Sequence, residues 1–338
     1  MFSIRRAAVL LLSCLILFPF NVAAWDRGDV ERFATLPAGF ANPEGLTVDN
    51  YGNVYATTFA VTAGGQPGQL FVFDPNGRLL RQKSVAGSSN LLLGLAFHPQ
   101  TGELLVLDFG NPRVLSVNPF TGAATVFATI PGGGAAGPNA LTFDKQGNVY
   151  ISDSFQGVIW RTDPNGGNLV RWVDDDLLRT SGTPPFGANG LGFNKDSSAL
   201  FVANTGNDQI IRIPVAGGKP GTPEVFTNSV NGADGLIIDR DDNLWVAANQ
   251  ADEIVVIDKT GKVIAKLGDF GGIDRHGAPI GFMFPASPAR HGDWIYVTNL
   301  ALDIRLIPLP QAVDSQWAAK VTSHTIARIR ARIPRLPE

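Results

Sequence analysis

Along this chain short apolar runs alternate with polar turns in a fixed order. An apolar strand, a polar turn, a β-branched and aromatic strand and a loop are followed by an alternating strand, a Gly-containing turn and a last strand. The order repeats. The units read EGLTVDNYGNVYATT from Glu44, LGLAFHPQTGELLVLD from Leu93, NALTFDKQGNVYISD from Asn139, NGLGFNKDSSALFVAN from Asn189 and DGLIIDRDDNLWVAAN from Asp234. Their starts lie 49, 46, 50 and 45 residues apart, and a degenerate sixth unit, FPASPARHGDWIYVTN, begins 50 residues later at Phe284. A period of this length with four strands per unit is the signature of propeller blades. The third unit predicts strands over Ala140–Phe143, Val149–Ser152, Gly157–Thr162 and Leu169–Val173, with Asp163-Pro164-Asn165-Gly166 turning between the last two.

The predicted fold class is all-β, a six-bladed β-propeller over residues 25–311. The segment Glu31-Arg32-Phe33-Ala34-Thr35-Leu36-Pro37 is similar to Val126-Phe127-Ala128-Thr129-Ile130-Pro131, the fourth strand of the second unit, yet it precedes the first unit. It is expected to complete the sixth blade, so that the N-terminal strand of the mature chain closes the ring and removes its sheet edges. Residues 312–338 lack the repeat and read as a C-terminal tail outside the ring, with a short helix within Val313–Ile329.

Residues 1–24 form a different kind of segment. The basic pair Arg5-Arg6, an apolar run from Ala7 to Phe20 and the small residues of Val22-Ala23-Ala24 predict a signal peptide cleaved near Ala24, and so a secreted or periplasmic protein. The apolar run is shorter than the ~20 residues that span a bilayer, so no membrane span is expected in the mature chain. A lipoprotein box at Leu11-Leu12-Ser13-Cys14 is the alternative, against which the apolar residues after Cys14 count. Cys14 is the sole cysteine, so the mature chain has neither a disulfide framework nor a thiolate metal site. The formal charge of −3 becomes −5 without Arg5 and Arg6. Outside the tail from Arg328 to Arg335 there is no basic stripe with interleaved aromatics, and nucleic acid is not an expected partner.

Glu44, Asn139, Asn189 and Asp234 occupy one position, immediately before the first strand of units one, three, four and five. First strands lie innermost in a propeller, so the four are expected to converge at one mouth of the channel. Two carboxylates and two amide oxygens make a hard-oxygen site of charge −2, suited to Ca²⁺ or Mg²⁺ rather than zinc. Against this stands the ordinary use of Asn and Asp before a strand to hydrogen-bond the incoming loop. Four such residues at one repeat position, with Leu93 and an apolar sixth unit breaking the pattern, favour metal.

Pro43-Glu44-Gly45, Pro138-Asn139-Ala140, Asn189-Gly190-Leu191 and Asp234-Gly235-Leu236 resemble motifs of the senescence marker protein/gluconolactonase/luciferin-regenerating-enzyme-like family, whose relatives are the phosphotriesterase propellers and paraoxonases. The resemblance covers roughly residues 30–310. It implies that Glu44, Asn189 and Asp234 are metal ligands, most simply of calcium, that Asn139 is a ligand or a substrate contact, and that the activity is metal-dependent hydrolysis of a lactone or other ester. Asp234 is the expected base or nucleophile, and the partner a small-molecule substrate. The gluconolactonase pattern has Asn-Asp-Gly with an Arg two residues earlier. Here Asn139-Ala140-Leu141 and Gly137 stand instead, which tells against a sugar lactone, and Leu93-Gly94 replaces the channel histidine of paraoxonases.

His276, in the loop from blade five to six, is a candidate substrate contact or proton shuttle on the metal face, set against a plain surface loop. His98, His291 and His324 read as surface histidines. Asp49, Asp144 and Asp239 read as turn residues. Asp108, Asp153, Asn204, Asn249 and Asn299 end second strands and are expected to cap loops, with one or two touching substrate. The inserts Thr58–Gly68 and Asp174–Gly187 rise on the same face as a lid or as variable loops. The rival class is a non-catalytic NHL-type propeller that binds a protein partner, which Phe201-Val202-Ala203-Asn204-Thr205-Gly206-Asn207-Asp208 resembles. Such a propeller does not require the four-oxygen ring. A strictosidine-synthase-like lyase of the same architecture has no distinct motif here.

Overall fold

The computed structural model describes residues 26–306 and 315–334; the leader over residues 1–24 with its Cys14 lies outside them. Among the described residues six antiparallel blades surround a channel, and a separate two-stranded hairpin links blades five and six. In blades one to five the strands run outward in chain order. Blade three, for example, is built from Pro138–Phe143, Val149–Asp153, Val158–Thr162 and Val170–Asp174, close to the strands predicted for it.

The sixth blade is the exception. Its sheet runs Pro285–His291, Trp294–Asn299, Thr325–Arg330 and then Glu31–Thr35. The N-terminal strand therefore does close the ring, as expected. The tail, however, does not lie outside it: Thr325–Arg330 is the third strand of the last blade, pairing Val297 with Ala327 on one side and Glu31 with Arg328 on the other. Helix is confined to Ser315–Ala318 among the described residues of the tail. Two arginines of the basic stretch from Arg328 to Arg335 have partners in the blade. Arg328 and Arg330 lie over the Trp294 ring at 4.2 and 3.9 Å, and Arg328 pairs with Glu31 at 2.8 Å.

Every residue of the second strands Val54–Thr58, Leu104–Asp108, Val149–Asp153, Ala199–Asn204 and Leu244–Ala248 is buried. Both faces of a blade are covered by its neighbours, so these central strands are apolar almost throughout rather than alternating. The core is consequently a set of wedges between blades. One packs Ala199, Phe201 and Ile210 of blade four against Leu244, Val246 and Val255 of blade five.

Between first and second strands Asp49, Asp144 and Asp239 each accept backbone N–H groups two and four residues on, the turn role read from the sequence. In blade two His98 takes this place and, against expectation, is buried. Its Nδ1 accepts from the N–H groups of Gln100 and Thr101, which leaves Nε2 to donate to Gly147 O of the next blade at 2.9 Å. His324 is buried as well, its Nδ1 accepting from Asn42 N, and burial lowers its pKa to about 4.

Because the outermost strand of blade six covers Thr325–Arg330, removing residues 26–35 exposes that strand and takes Phe33 and Ala34 out of the wedge shared with blade one, uncovering Phe71 and Tyr296. The truncated protein is expected to melt many degrees lower. An unchanged melting temperature would show that this strand does not close the ring.

Candidate functional site

The four candidate ligands share one register position. In each blade the start of the first strand pairs with the end of the second: Pro43 with Thr58, Leu92 with Asp108, Pro138 with Asp153, Ala188 with Asn204, Ala233 with Ala248 and Pro285 with Asn299. The residues that follow are Glu44, Leu93, Asn139, Asn189, Asp234 and Ala286. The ladder shifts register after this pair in all six blades, and such an irregularity re-aims a side chain. The sixth position is Ala286, two residues beyond the Phe284 start expected from the repeat.

A glycine after the ligand lets the innermost strands converge. A Cβ on Gly45 would collide with Leu93 O, and one on Gly235 would stand 2.5 Å from Ala286 O. The Glu-Gly and Asp-Gly pairs are therefore a packing requirement at the axis, where one blade's glycine meets the carbonyl of the next blade's ligand position.

Glu44, Asn139, Asn189 and Asp234 line one cavity of about 450 Å³, counted to its open mouth. That is room for an ion and a few small ligands. Asn139 Nδ2 donates to Ser154 Oγ at 3.1 Å, and that hydroxyl donates to Ala188 O at 2.7 Å. Blade four repeats the arrangement: Asn189 Nδ2 donates to Thr205 Oγ1 at 2.9 Å, which donates to Ala233 O at 2.7 Å. The hydroxyls thus engage the amide nitrogens and leave the amide oxygens as donors for a cation. At the same place in blade five, Asn249 Nδ2 donates to Asp234 Oδ2 at 2.9 Å. Thr298 Oγ1 of blade six holds Glu44 O at 2.7 Å.

Electrostatically this is a loaded site. Burial, and then the neighbouring Asp234, push the Glu44 carboxyl well above the usual range. Burial raises Asp234 to about 7, against hydrogen bonds from Asn249 and Asn189 that pull it down. Glu44 Oε2 is buried without a hydrogen-bond partner. Among the described residues no group of three His, Cys, Asp or Glu side chains gathers, so the donor set here is two carboxylates with amide oxygens. An unpartnered carboxylate oxygen facing hard neutral donors fits a hard divalent cation.

His276 is not brought to this cavity. It is exposed at the tip of the hairpin Phe270–Ile273 and Pro279–Gly281, hydrogen-bonded to Arg275, and the neighbouring Asp274 pairs with Arg32 on the outermost strand of blade six. Asp108, Asp153, Asn204 and Asn299 hold loops: Asp108 binds Ser89 and Arg113, Asp153 the Gly137 N–H and Gln156, Asn204 the carbonyls of Leu177 and Arg179, and Asn299 the Met283 N–H. Asn249 differs because it stands one residue past its strand, with Ser154 and Thr205. Sequence reading missed those two hydroxyls; aligning the units on the strand ends rather than on the strands would have shown them at one position. The insert ahead of blade four contributes Pro184 and Phe186 to the cavity.

Residues 88–268 match the model of the SMP-30/gluconolactonase/LRE-like region. The chain belongs to that family. The chain is 32% identical over 138 residues to lactonase drp35 of Staphylococcus epidermidis, covering 38% of this chain and 40% of that one. It is 29% identical over 166 residues to a strictosidine synthase-like protein of Arabidopsis thaliana, covering 46% and 40%. The matches thus span about two fifths of these relatives' own length. Regucalcin of Agrobacterium tumefaciens, described as a calcium-binding protein, superposes with a TM-score of 0.62 over 90% of this chain and 97% of its own, at 17% identity, which shows a shared fold. Among the described residues, no helix is long and apolar enough to cross a membrane.

The carboxylates carry a pH signature. In the unfolded chain they titrate near 4, whereas folding raises both, Asp234 to about 7. Between those values the folded chain holds more protons than the unfolded one, so in chelator stability falls as pH rises. His324 acts in the opposite sense, because its lowered pKa makes the unfolded chain the better proton binder below ~6.5. Comparing wild type with Glu44→Gln removes that common term. The wild type is expected to lose more melting temperature than the variant from about pH 5 to about pH 7.5. Equal losses would show that the carboxylates do not interact.

Proposed function

We propose that this protein is a calcium-dependent hydrolase of a lactone or other ester, with the ion held by Glu44, Asn139, Asn189 and Asp234. The observation that carries the proposal is the buried Glu44 carboxylate, unpartnered at one oxygen and facing Asp234 and two amide groups whose nitrogens are already engaged. A bare binding propeller gives no reason for such an arrangement, since two buried carboxylates without a cation destabilise the fold. Family membership, the lactonase named among the relatives and the calcium-binding protein among the structures of the same fold all support it.

When bound, a divalent cation supplies polarisation of an ester carbonyl and stabilises the negative charge that develops on its oxygen. The chain's own residues supply the rest. Asp234 is the base that takes a proton from the attacking water, or attacks the ester itself; Asn249 fixes its Oδ2 so that one oxygen stays oriented. Ser154 and Thr205 keep Asn139 and Asn189 in one amide orientation. The surrounding apolar residues exclude bulk water, which strengthens every charge interaction inside. The apolar leader supports export from the cytoplasm, with residues 1–24 removed.

Purified protein is expected to hydrolyse simple lactones or aryl esters with calcium present, to lose this on chelation and to regain it when calcium returns. Asp234→Asn, which keeps the side chain's shape, should lower kcat/KM by about a hundredfold or more. Full activity in the metal-free protein, or in the variant, would contradict the proposal.

A further inference from the structure

The cavity is two-sided. Blades three, four and five present Asn139, Asn189, Thr205, Asp234 and Asn249, and blade one adds Glu44, while Phe59 of blade one, Leu93 of blade two and Phe284, Leu300, Leu302 and Ile304 of blade six form an apolar wall. This apolar wall is held in place by uncommon backbone: Phe284 has φ 48° and Ala301, just after Leu300, has φ 43°. Asp252 accepts the Phe284 N–H at 2.6 Å, and Asn42 Nδ2 donates to the carbonyls of Leu300 and Ala301. A wall whose presentation requires two left-handed residues and buried polar clamps is shaped for contact with something.

The wall continues outward. Phe59 packs edge-on against Phe109 with centroids 5.6 Å apart, Phe109 against Phe155 at 5.4 Å, and Phe155 against Phe186 at 5.5 Å. Phe155 is 42% exposed. Aromatic surface thus runs from beside the carboxylates to solvent. The polar side, in contrast, offers a polyol only the second N–H of three amides once the carboxylates and amide oxygens hold the ion. The Nδ2 groups of Asn139, Asn189 and Asn249 each donate to a protein oxygen, and among the described residues lining the cavity none is Lys, Arg or His. A sugar lactone brings a hydroxyl on nearly every ring carbon, and each would be desolvated against Leu or Phe without a partner.

We propose that the site takes an uncharged lactone bearing an alkyl or aryl substituent, which lies along Leu302, Phe59 and the Phe155–Phe186 rim, and that it rejects polyhydroxylated sugar lactones. The proposal rests on the hydrolase reading above. The ester group sits at the carboxylates, and the substituent points toward the mouth.

The test uses calcium-loaded full-length protein with two series. One is δ-lactones with 5-alkyl chains from methyl to hexyl beside glucono-δ-lactone, followed by hydrolysis; the other is the matching non-hydrolysable δ-lactams beside gluconolactam, followed by calorimetric binding. Rising chain length is expected to raise kcat/KM and lactam affinity by roughly threefold per methylene until the wall ends. The sugar compounds are expected to be at least about a hundredfold poorer than the hexyl ones. Phe155→Ala, checked for an unchanged melting temperature, should flatten the far end of both series, so that the hexyl compound loses its advantage over the shorter ones. A flat series in wild type, or a sugar lactone turned over as well as the hexyl lactone, overturns the proposal. Chain-length-dependent lactam binding with no hydrolysis of any lactone would support the substrate class while removing the hydrolase reading. Neither binding nor hydrolysis would remove both.

Discussion

The structure turns on two carboxylates, Glu44 and Asp234, held within Coulombic reach of one another in a buried space near the propeller axis. Burial raises both pKa values, and Glu44 has an oxygen with no hydrogen-bond partner. Like charges so placed cannot both ionise without compensation. A closed ring of blades is what makes the arrangement sustainable, because each ligand rides on the innermost strand of a different sheet and no single loop has to hold the set together. The glycines after Glu44, Asn189 and Asp234 let those strands approach, and the register shift at each strand start turns the side chain inward.

Seen from the ring, the supporting residues form a second repeat laid over the first. Hydroxyls at the ends of second strands reach across to the next blade's first strand: Ser154 to Ala188, Thr205 to Ala233, and, one residue pair earlier, Thr57 to Leu93 and Thr298 to Glu44. Blade-to-blade closure and ligand orientation are thus parts of one hydrogen-bond system. Where the ligand position is apolar, at Leu93 and Ala286, the residue one past the second strand is apolar too, Phe109 and Leu300, and the same scaffold produces the hydrophobic side of the cavity. Blade one mixes the two, pairing Glu44 with Phe59.

The fold was legible in the sequence because the repeat is a local signal: five units of the same strand and turn order, a degenerate sixth from Phe284, and a leftover segment at Glu31 that completes the last blade. The strand Thr325–Arg330 escaped since a connection of more than twenty residues separates it from its hairpin partner, and its arginines imitate a solvated tail until Trp294 and Glu31 are seen beneath them. The four ring residues could be found because they share a position before a strand. His98 and His324 could not be placed, since their burial depends on the neighbouring blade and on Asn42. For His276 the structure selects the surface-loop reading over the substrate contact: the hairpin that carries it folds toward the outer edge of blade six, which the repeat does not specify.

Calcium binding measured by calorimetry on chelator-stripped protein addresses the centre of this account most directly. Wild type should bind one ion per chain, Glu44→Gln should bind it at least about tenfold more weakly, and Thr205→Val, which frees the Asn189 amide to rotate, should weaken it while Thr205→Ser does not. Binding of equal strength in wild type and Glu44→Gln, or no binding in either, would contradict the claim that these four side chains form one metal site.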